Sequence, residues 1–195
     1  LFSIIFLIDI YDDSLKKSLT NFLSFNSSEI LKQTSKIFIL YFGITISIFF
    51  ILNIFDIRSF NSLNLSMTII SSGGFLPTND LSSILTNQSQ IIIFSLLMLV
   101  SFFSIFFIYN LIFLRNKNLN FFYEDIHLFL YFLSIVTIFF TFFSFDNNFT
   151  FIFLSLVSSI SNIGISLQFD QSKLIFIYLI LVIIGGSFFS TSSGL

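Results

Sequence analysis

Three short glycine-containing segments carry the residues that could do chemistry in this sequence. They are SSGGF at positions 71–75, SNIGI at 161–165 and GGSFFSTSSG at 185–194. Glycine lets backbone carbonyls turn toward one axis, and a set of such oxygens can replace the water shell of a cation. The ligands in the first two segments would then be backbone oxygens rather than side chains. The alternative for Gly73 and Gly74 is a simple turn leading to Pro77.

An internal repeat links the first two segments. Shifting the sequence by 90 positions places Asp56 on Asp146, Gly74 on Gly164, and Asp80 on Asp170. Aspartate and glycine are infrequent here, so these matches carry more weight than matches among the abundant Ile and Ser. Self-similarity at a fixed spacing indicates a duplicated structural unit.

The elements that must position these segments are predicted to be membrane helices. Only 9% of the 195 residues are charged, against about 25% in soluble domains, and the mean hydropathy is +1.00. Uncharged, apolar stretches at 37–55, 91–114 and 128–145 are close to the ~20 residues that cross a bilayer, and a fourth begins at 174–189. We expect all four to be helical, because unpaired backbone groups are prohibitive in lipid.

Two further uncharged stretches, 59–72 and 149–163, mix apolar residues with Ser, Asn and Thr, and each leads into a glycine segment. They are short for spans and too apolar for ordinary loops. Half-helices that enter and leave the membrane on one side satisfy both constraints, since irregular backbone is tolerated there only when it lines a cavity or is buried in protein. The predicted unit is a helix, a half-helix with a glycine loop, and a second helix.

The distribution of basic residues gives an independent topology. If the glycine loops open to the outside, then residues 9–36 and 115–127 are cytoplasmic, and only Arg58 and Lys173 lie outside. The cytoplasmic set is Lys16, Lys17, Lys32, Lys36, Arg115 and Lys117. This excess agrees with the positive-inside rule.

Other chemistries have little support in the composition. The absence of cysteine excludes disulfides and thiol chemistry, a single histidine cannot form a multi-histidine site, and a net charge of −2 argues against nucleic acid. We interpret His127 as an interfacial residue and the Glu124–Asp125 pair as part of a solvated linker. Asp80 and Asp170 would either concentrate cations at the mouth of a pore or simply solubilise an outer loop. No serine is accompanied by a base, so we expect no enzyme activity.

Four segments resemble the TrkH/KtrB superfamily of bacterial potassium transporters. SMTIISSGGF at 66–75 is similar to the second filter segment of that family, and SSISNIGISL at 158–167 to the third. IGGSFFSTSSGL at 184–195 resembles its intramembrane loop, and SEILKQT at 28–34 the cytoplasmic entry to its second repeat. The sequence departs from the family where Phe188 and Phe189 replace Pro-Gly, Ser193 replaces Gly and Ile165 replaces Phe.

The resemblance implies an all-α polytopic membrane protein built of helix–pore-helix–helix repeats. Since the sequence begins with Leu and its last apolar run stops at Leu195, we expect it to be truncated at both ends. The expected organisation is the end of a preceding repeat and a cytoplasmic linker at 1–36, a filter-bearing repeat at 37–114, a cytoplasmic linker at 115–127, and a truncated repeat at 128–195.

The implied function is potassium transport by the pore-forming subunit of a Trk/Ktr-type uptake system in the bacterial inner membrane. The expected ion ligands are mainly the backbone carbonyls of Ser72, Gly73, Gly74, Phe75, Asn162, Ile163, Gly164 and Ile165. The expected gating loop comprises Gly185, Gly186, Ser187, Ser190, Thr191, Ser192 and Gly194. The implied partners are membrane lipid, a second copy in a homodimer, and a cytoplasmic nucleotide-binding regulatory subunit, with K⁺ as cargo and no cofactor or other metal.

Three alternatives stay open at this stage. The chain could be a membrane scaffold or assembly subunit whose glycine and serine residues only pack helices. It could be a secondary transporter with broken helices and a site at the membrane midplane. It could also be permeable to sodium, because the first filter of the family, which can carry a deciding serine, is not in this sequence.

Overall fold

In a computed structural model, the described part of the chain is mainly α-helical. The structure describes residues 30–78, 80–103, 108, 126–127, 129–136, 149–165, 175–186 and 190–192, and in these ranges no strand occurs. The all-α class predicted from the sequence is therefore confirmed for this part of the chain.

The helices follow in this order: α1 (Ile30–Ile54), α2 (Ser59–Ser71), α3 (Gln88–Phe102), α4 (Phe149–Ile160) and α5 (Ile175–Ile184). A short 3₁₀ turn at Leu81–Ser83 precedes α3, and residues 129–136 are also helical. The chain divides into two compact units, Leu1–Ile44 and Thr45–Leu195, so that α1 begins in the first and ends in the second. Within the second unit, α3 packs against both α2 and α4, and α4 packs against α5.

One helix in the described ranges has the length and composition to cross a membrane. It is the Ser35–Ile54 part of α1, with a mean hydropathy of 2.4. Its position agrees with the stretch at 37–55 that the sequence singles out. α3 and α4 are apolar but shorter, and the other stretches predicted to span (91–114, 128–145 and 174–189) are described only in part.

Large apolar side chains lie on the surface of every helix. Phe50 on α1 is 60% exposed, Phe60 on α2 63%, and Phe176 on α5 80%. The same holds, at 37–75% exposure, for Phe38, Ile39, Phe42, Ile46, Ile54, Leu63, Met67, Ile92, Leu96, Phe149, Leu179, Ile180, Val182 and Ile183. Monomeric soluble proteins rarely expose apolar surface on this scale.

The buried polar residues, in contrast, are mostly serines. In six of them the hydroxyl donates to a carbonyl three to five residues earlier in the chain, at 2.7–3.0 Å: Ser62, Ser66, Ser95, Ser101, Ser155 and Ser161. The short side chain allows close approach of helices, and the local hydrogen bond satisfies the hydroxyl without water. Helix contacts here are accordingly made of small polar residues as well as aliphatic ones.

Gln90 joins the end of α1 to the start of α3. α1 ends at Ile54, and Asp56 in the turn that follows has a left-handed φ of 60°. The Gln90 side-chain nitrogen donates to the Phe55 carbonyl at 2.9 Å, while its oxygen accepts from the backbone amides of Thr86 (2.9 Å) and Asn87 (3.2 Å). Gln90 is only 4% exposed, although Thr86 and Asn87 are exposed.

Replacing Gln90 with Ala should lower the free energy of unfolding by about 1–3 kcal/mol, because it removes the three hydrogen bonds that this side chain makes to the backbone. The measurement is the thermal unfolding midpoint of the purified protein. Gln88→Ala is the matched control, since Gln88 opens the same helix but is exposed. Equal midpoints for the two variants would contradict the role assigned to Gln90.

Candidate functional site

The half-helix α2 ends in a left-handed turn. Ser72 adopts φ 49° and ψ 37°, its amide donates to the Ile69 carbonyl at 3.3 Å, and the Gly73 amide donates to the Thr68 carbonyl at 3.2 Å. These two bonds form the capping pattern that commonly closes a helix with a left-handed residue. Gly74 follows with φ 66°, which favours glycine, so the chain turns again at once.

The half-helix α4 ends in the same way. Asn162 has φ 51°, its amide donates to the Ser159 carbonyl at 3.2 Å, and the Ile163 amide donates to the Ser158 carbonyl at 3.2 Å. Gly164 then has φ 74°. Every residue in this turn lies 90 positions after its counterpart in the first, so the two segments share one backbone geometry as well as a sequence pattern.

The two turns lie against each other. A Cβ atom built on Gly74 would be 2.5 Å from the carbonyl oxygen of Ile163, a separation that real Cβ atoms do not show. A Cβ on Gly164 would meet nothing within 4 Å. Glycine at position 74 is therefore favoured by its φ and required by the approach of the second turn, whereas glycine at 164 is favoured by φ alone.

The described part of the third glycine segment, 185–186 and 190–192, lies beside both turns. α5 ends at Ile184, at the place where the sequence analysis puts a break, and Gly185 continues with φ 61°. Gly186 is buried, and a Cβ there would approach the Phe102 carbonyl oxygen at 2.9 Å and the Ser190 hydroxyl at 2.6 Å. The absence of a side chain thus lets the loop fold against the end of α3.

Three hydrogen bonds then attach the loop to its surroundings. The Thr191 hydroxyl donates to the Ser101 carbonyl at 3.3 Å and accepts from the Ser72 hydroxyl at 3.4 Å. The Asn162 side-chain nitrogen donates to the Ser192 carbonyl at 2.8 Å. The three segments that the sequence singles out are therefore brought together in one place.

The expected ion ligands differ in their surroundings. Ser72, Gly74 and Asn162 are half-buried, Gly73 and Gly164 are exposed, and Ile163 and Ile165 are buried. Phe75 is 80% exposed. Two residues of the expected gating loop, Ser187 and Gly194, lie outside the described residues.

The carbonyl oxygens at the turns differ in whether they accept a hydrogen bond. Among the described residues, no donor is hydrogen-bonded to the carbonyls of Gly73, Gly74 or Ile163. The Phe75 carbonyl, by contrast, accepts from the Thr68 hydroxyl at 2.5 Å, which leaves it one lone pair. The described residues contain no cluster of His, Cys, Asp or Glu that could hold a metal ion, so a cation here would be bound by carbonyl and hydroxyl oxygens.

The electrostatics at this place also favour a cation. The C-termini of α2 and α4 both lead into the turns, and the C-terminal end of a helix carries a partial negative charge. Neither helix has a basic residue in its last turn, and residues 59–78 and 149–165 contain no charged side chain at all. The attraction would therefore come from partial charges only.

Comparison with known proteins assigns no family to this arrangement, since no protein-family model, curated protein or solved structure matches the chain.

The sequence analysis does not single out two residues at the site, Thr68 and Ser101. Thr68 fixes the Phe75 carbonyl, and its counterpart in the repeat, Ser158, also has a hydroxyl, so the shift by 90 positions offers a weak signal for it. Ser101 contributes through its backbone carbonyl, for which the sequence holds no signal.

The charged residues considered above lie apart from the turns or outside the described ranges. His127 is exposed, as is Asp80, whose carbonyl accepts bonds from the hydroxyls of Thr78 (3.0 Å) and Ser83 (2.7 Å). Glu124, Asp125 and Asp170 are not among the described residues.

Gly74→Ala and Gly164→Ala form a matched pair that isolates the contact between the turns. Both place a Cβ on left-handed backbone, at a cost of about 1–2 kcal/mol, but only the first drives it into the Ile163 carbonyl. We expect Gly74→Ala to cost about 1–3 kcal/mol more, as overpacking does. Thermal unfolding of the two purified variants measures the difference, and equal losses would show that the turns do not meet.

Proposed function

We propose that this chain is part of the pore-forming subunit of a Trk/Ktr-type potassium uptake system, a multi-pass protein of the bacterial inner membrane. The observation that carries the proposal is the approach of two glycine turns of identical backbone geometry, 90 residues apart, at the ends of two half-helices. The resemblance of the motifs implies that the ion is potassium. The two turns offer backbone carbonyl oxygens that would coordinate it.

The distribution of side chains supports a membrane location. Phenylalanine, isoleucine and leucine cover the helices, while serine hydroxyls are buried and bonded to their own helices. In water the exposed apolar area would be unfavourable, whereas in lipid it becomes the solvent-facing surface. We propose that α1, α3, the helix containing 129–136, and α5 belong to spanning segments, and that α2 and α4 are the pore helices of two successive repeats.

The proposed mechanism is dehydration of the ion at backbone oxygens. A K⁺ ion entering between the turns would exchange water for the carbonyls of Gly73, Gly74 and Ile163, and the helix C-termini would compensate for the lost hydration. Because no full negative charge lies in either pore segment, binding would be weak enough for the ion to leave again. Conduction needs both properties.

The loop from Gly185 to Ser192 would regulate this path. It interrupts an apolar helix and lies directly beside both turns, so it can obstruct an ion that leaves them. By resemblance, a cytoplasmic nucleotide-binding subunit would control the loop, and the transporter would work as a homodimer. The proposed protein partners are thus the nucleotide-binding subunit and a second copy of this chain.

Gly74→Asp in the full-length protein should abolish selective uptake of rubidium, used as a potassium tracer, while membrane insertion is retained. The added side chain would clash with the Ile163 carbonyl oxygen, on backbone that disfavours any side chain. Gly43→Ala is the control, because a Cβ at Gly43 in α1 meets nothing within 4 Å. The measurement is rubidium uptake into proteoliposomes with competing sodium.

Normal uptake and selectivity in Gly74→Asp would refute the filter assignment. An unmodified protein that inserts but carries no cation would favour the scaffold alternative. Uptake that sodium blocks as effectively as potassium would identify a sodium-permeable pathway instead.

A further inference from the structure

Thr68 holds both ends of the short segment that follows α2. Its backbone carbonyl accepts from the Gly73 amide at 3.2 Å, and its side-chain hydroxyl donates to the Phe75 carbonyl at 2.5 Å. The second bond joins residues seven positions apart, so it lies outside the hydrogen-bond ladder of the helix. One residue of α2 thus fixes the first and the last residue of the segment 73–75.

The exposed end of this segment is attached to a packed helix through the hydroxyl. The Phe75 side chain is 80% exposed, and Gly73 is exposed as well. Thr68, in contrast, is 3% exposed and lies on a helix that packs against α3. Because the Phe75 side chain is so little buried, the bond from Thr68 is the main described contact that fixes the Phe75 backbone.

The second turn is held in a different way. Ser158 is the counterpart of Thr68 in the repeat, and its carbonyl likewise accepts from the Ile163 amide at 3.2 Å. Among the described residues, no hydrogen bond joins the Ser158 hydroxyl to the Ile165 carbonyl, and the Ile165 side chain is buried instead, at 2% exposure. Packing therefore fixes the end of the second turn, whereas a hydrogen bond fixes the end of the first.

We propose that Thr68 is the positioning residue that sets the ion preference of the first turn. This inference rests on the proposed function and names a residue behind its selectivity. The Gly73 and Gly74 carbonyls lie within the segment that Thr68 holds at both ends, so the segment cannot contract around a smaller ion while both bonds are intact. Loss of the hydroxyl bond frees the Phe75 end, and the segment can then close on sodium as well as on potassium.

A purely structural role for the hydroxyl makes a different prediction. A buried hydroxyl needs a hydrogen-bond partner, and the Phe75 carbonyl could serve only to supply one. Removal of the hydroxyl would then lower stability and total flux but leave the ratio of the transported ions unchanged. The ratio is therefore the measurement that separates the two roles.

The test measures the rubidium-to-sodium uptake ratio of the full-length protein in proteoliposomes. Thr68→Val keeps the branched shape and the backbone carbonyl but has no side-chain donor, so the ratio should fall about two- to tenfold, the equivalent of one typical hydrogen bond. Thr68→Ser keeps the hydroxyl and should restore the native ratio. Ser66→Ala is the matched control, because that buried hydroxyl on the same helix bonds to the Leu63 carbonyl within α2.

Two further variants grade the strength of the donor. Thr68→Ala has no side-chain donor, and the thiol of Thr68→Cys is a weak one. The ratio should be highest with serine, intermediate with cysteine and lowest with alanine and valine, whatever the total flux.

Several results would overturn the proposal. They are a native ratio in either donor-free variant, an equal fall in Ser66→Ala, and a Thr68→Ser variant that does not restore the ratio. Loss of membrane insertion in both donor-free variants, with insertion retained in Thr68→Ser, would also overturn it by assigning the hydroxyl a structural role alone.

The transport proposal and this inference fail in different ways. If the unmodified protein carries rubidium selectively and the donor-free variants do so equally well, only the role of Thr68 is wrong. If the unmodified protein carries no cation, the transport proposal fails, and the ion preference assigned to Thr68 fails with it.

Discussion

The left-handed residue that ends each half-helix is the constraint on which the site depends. At Ser72 and Asn162 the backbone leaves the helical hydrogen-bond ladder, so the next carbonyls have no helical partner. The conformation costs a non-glycine residue about 1–2 kcal/mol. Asn tolerates it well because its short polar side chain can bond locally, and both residues here also bond to the 190–192 segment. The interaction that offsets the backbone cost is thus the one that joins the turns to the loop.

The helices bury serine hydroxyls and expose apolar side chains, which fits the lipid environment proposed for them. Serines that donate to carbonyls of their own helix can be buried without any external partner, which matters wherever water is absent. The same helices leave phenylalanine and isoleucine exposed while they bury other apolar side chains, such as Phe94 and Leu154, between them. Close approach through small residues and fixed polar contacts such as the Gln90–Phe55 bond add to this apolar packing. In the membrane location proposed above, the exposed apolar side chains would face lipid instead of water.

The positions of the helices could be predicted because they depend on local features of the sequence. Helices lie at Ser59–Ser71 and Phe149–Ile160, where the sequence analysis expects half-helices at 59–72 and 149–163, and α5 ends where Gly185 begins the third segment. Glycine, charge and hydropathy act over a few residues, so their effects can be recognised in the sequence. The contact between Gly74 and Ile163 and the bond between Ser72 and Thr191 join residues about 90 and 119 positions apart. Serine and isoleucine are abundant in this sequence, so the sequence alone does not show which of them come into contact in the folded chain.

The two turns share a backbone but not an environment, which bears on how they could act on an ion. After the glycine, Phe75 is 80% exposed in the first turn, whereas its counterpart Ile165 is 2% exposed in the second. α4 packs against both α3 and α5, so the turn that follows it is enclosed by neighbouring helices, while α2 packs against α3. Gly74 is pressed against the other turn and Gly164 has open space beside it. The two turns therefore have similar φ values and capping bonds in unequal surroundings. In the function proposed above, an ion at this place would meet two turns that are packed differently, so the two turns would not act on it equally.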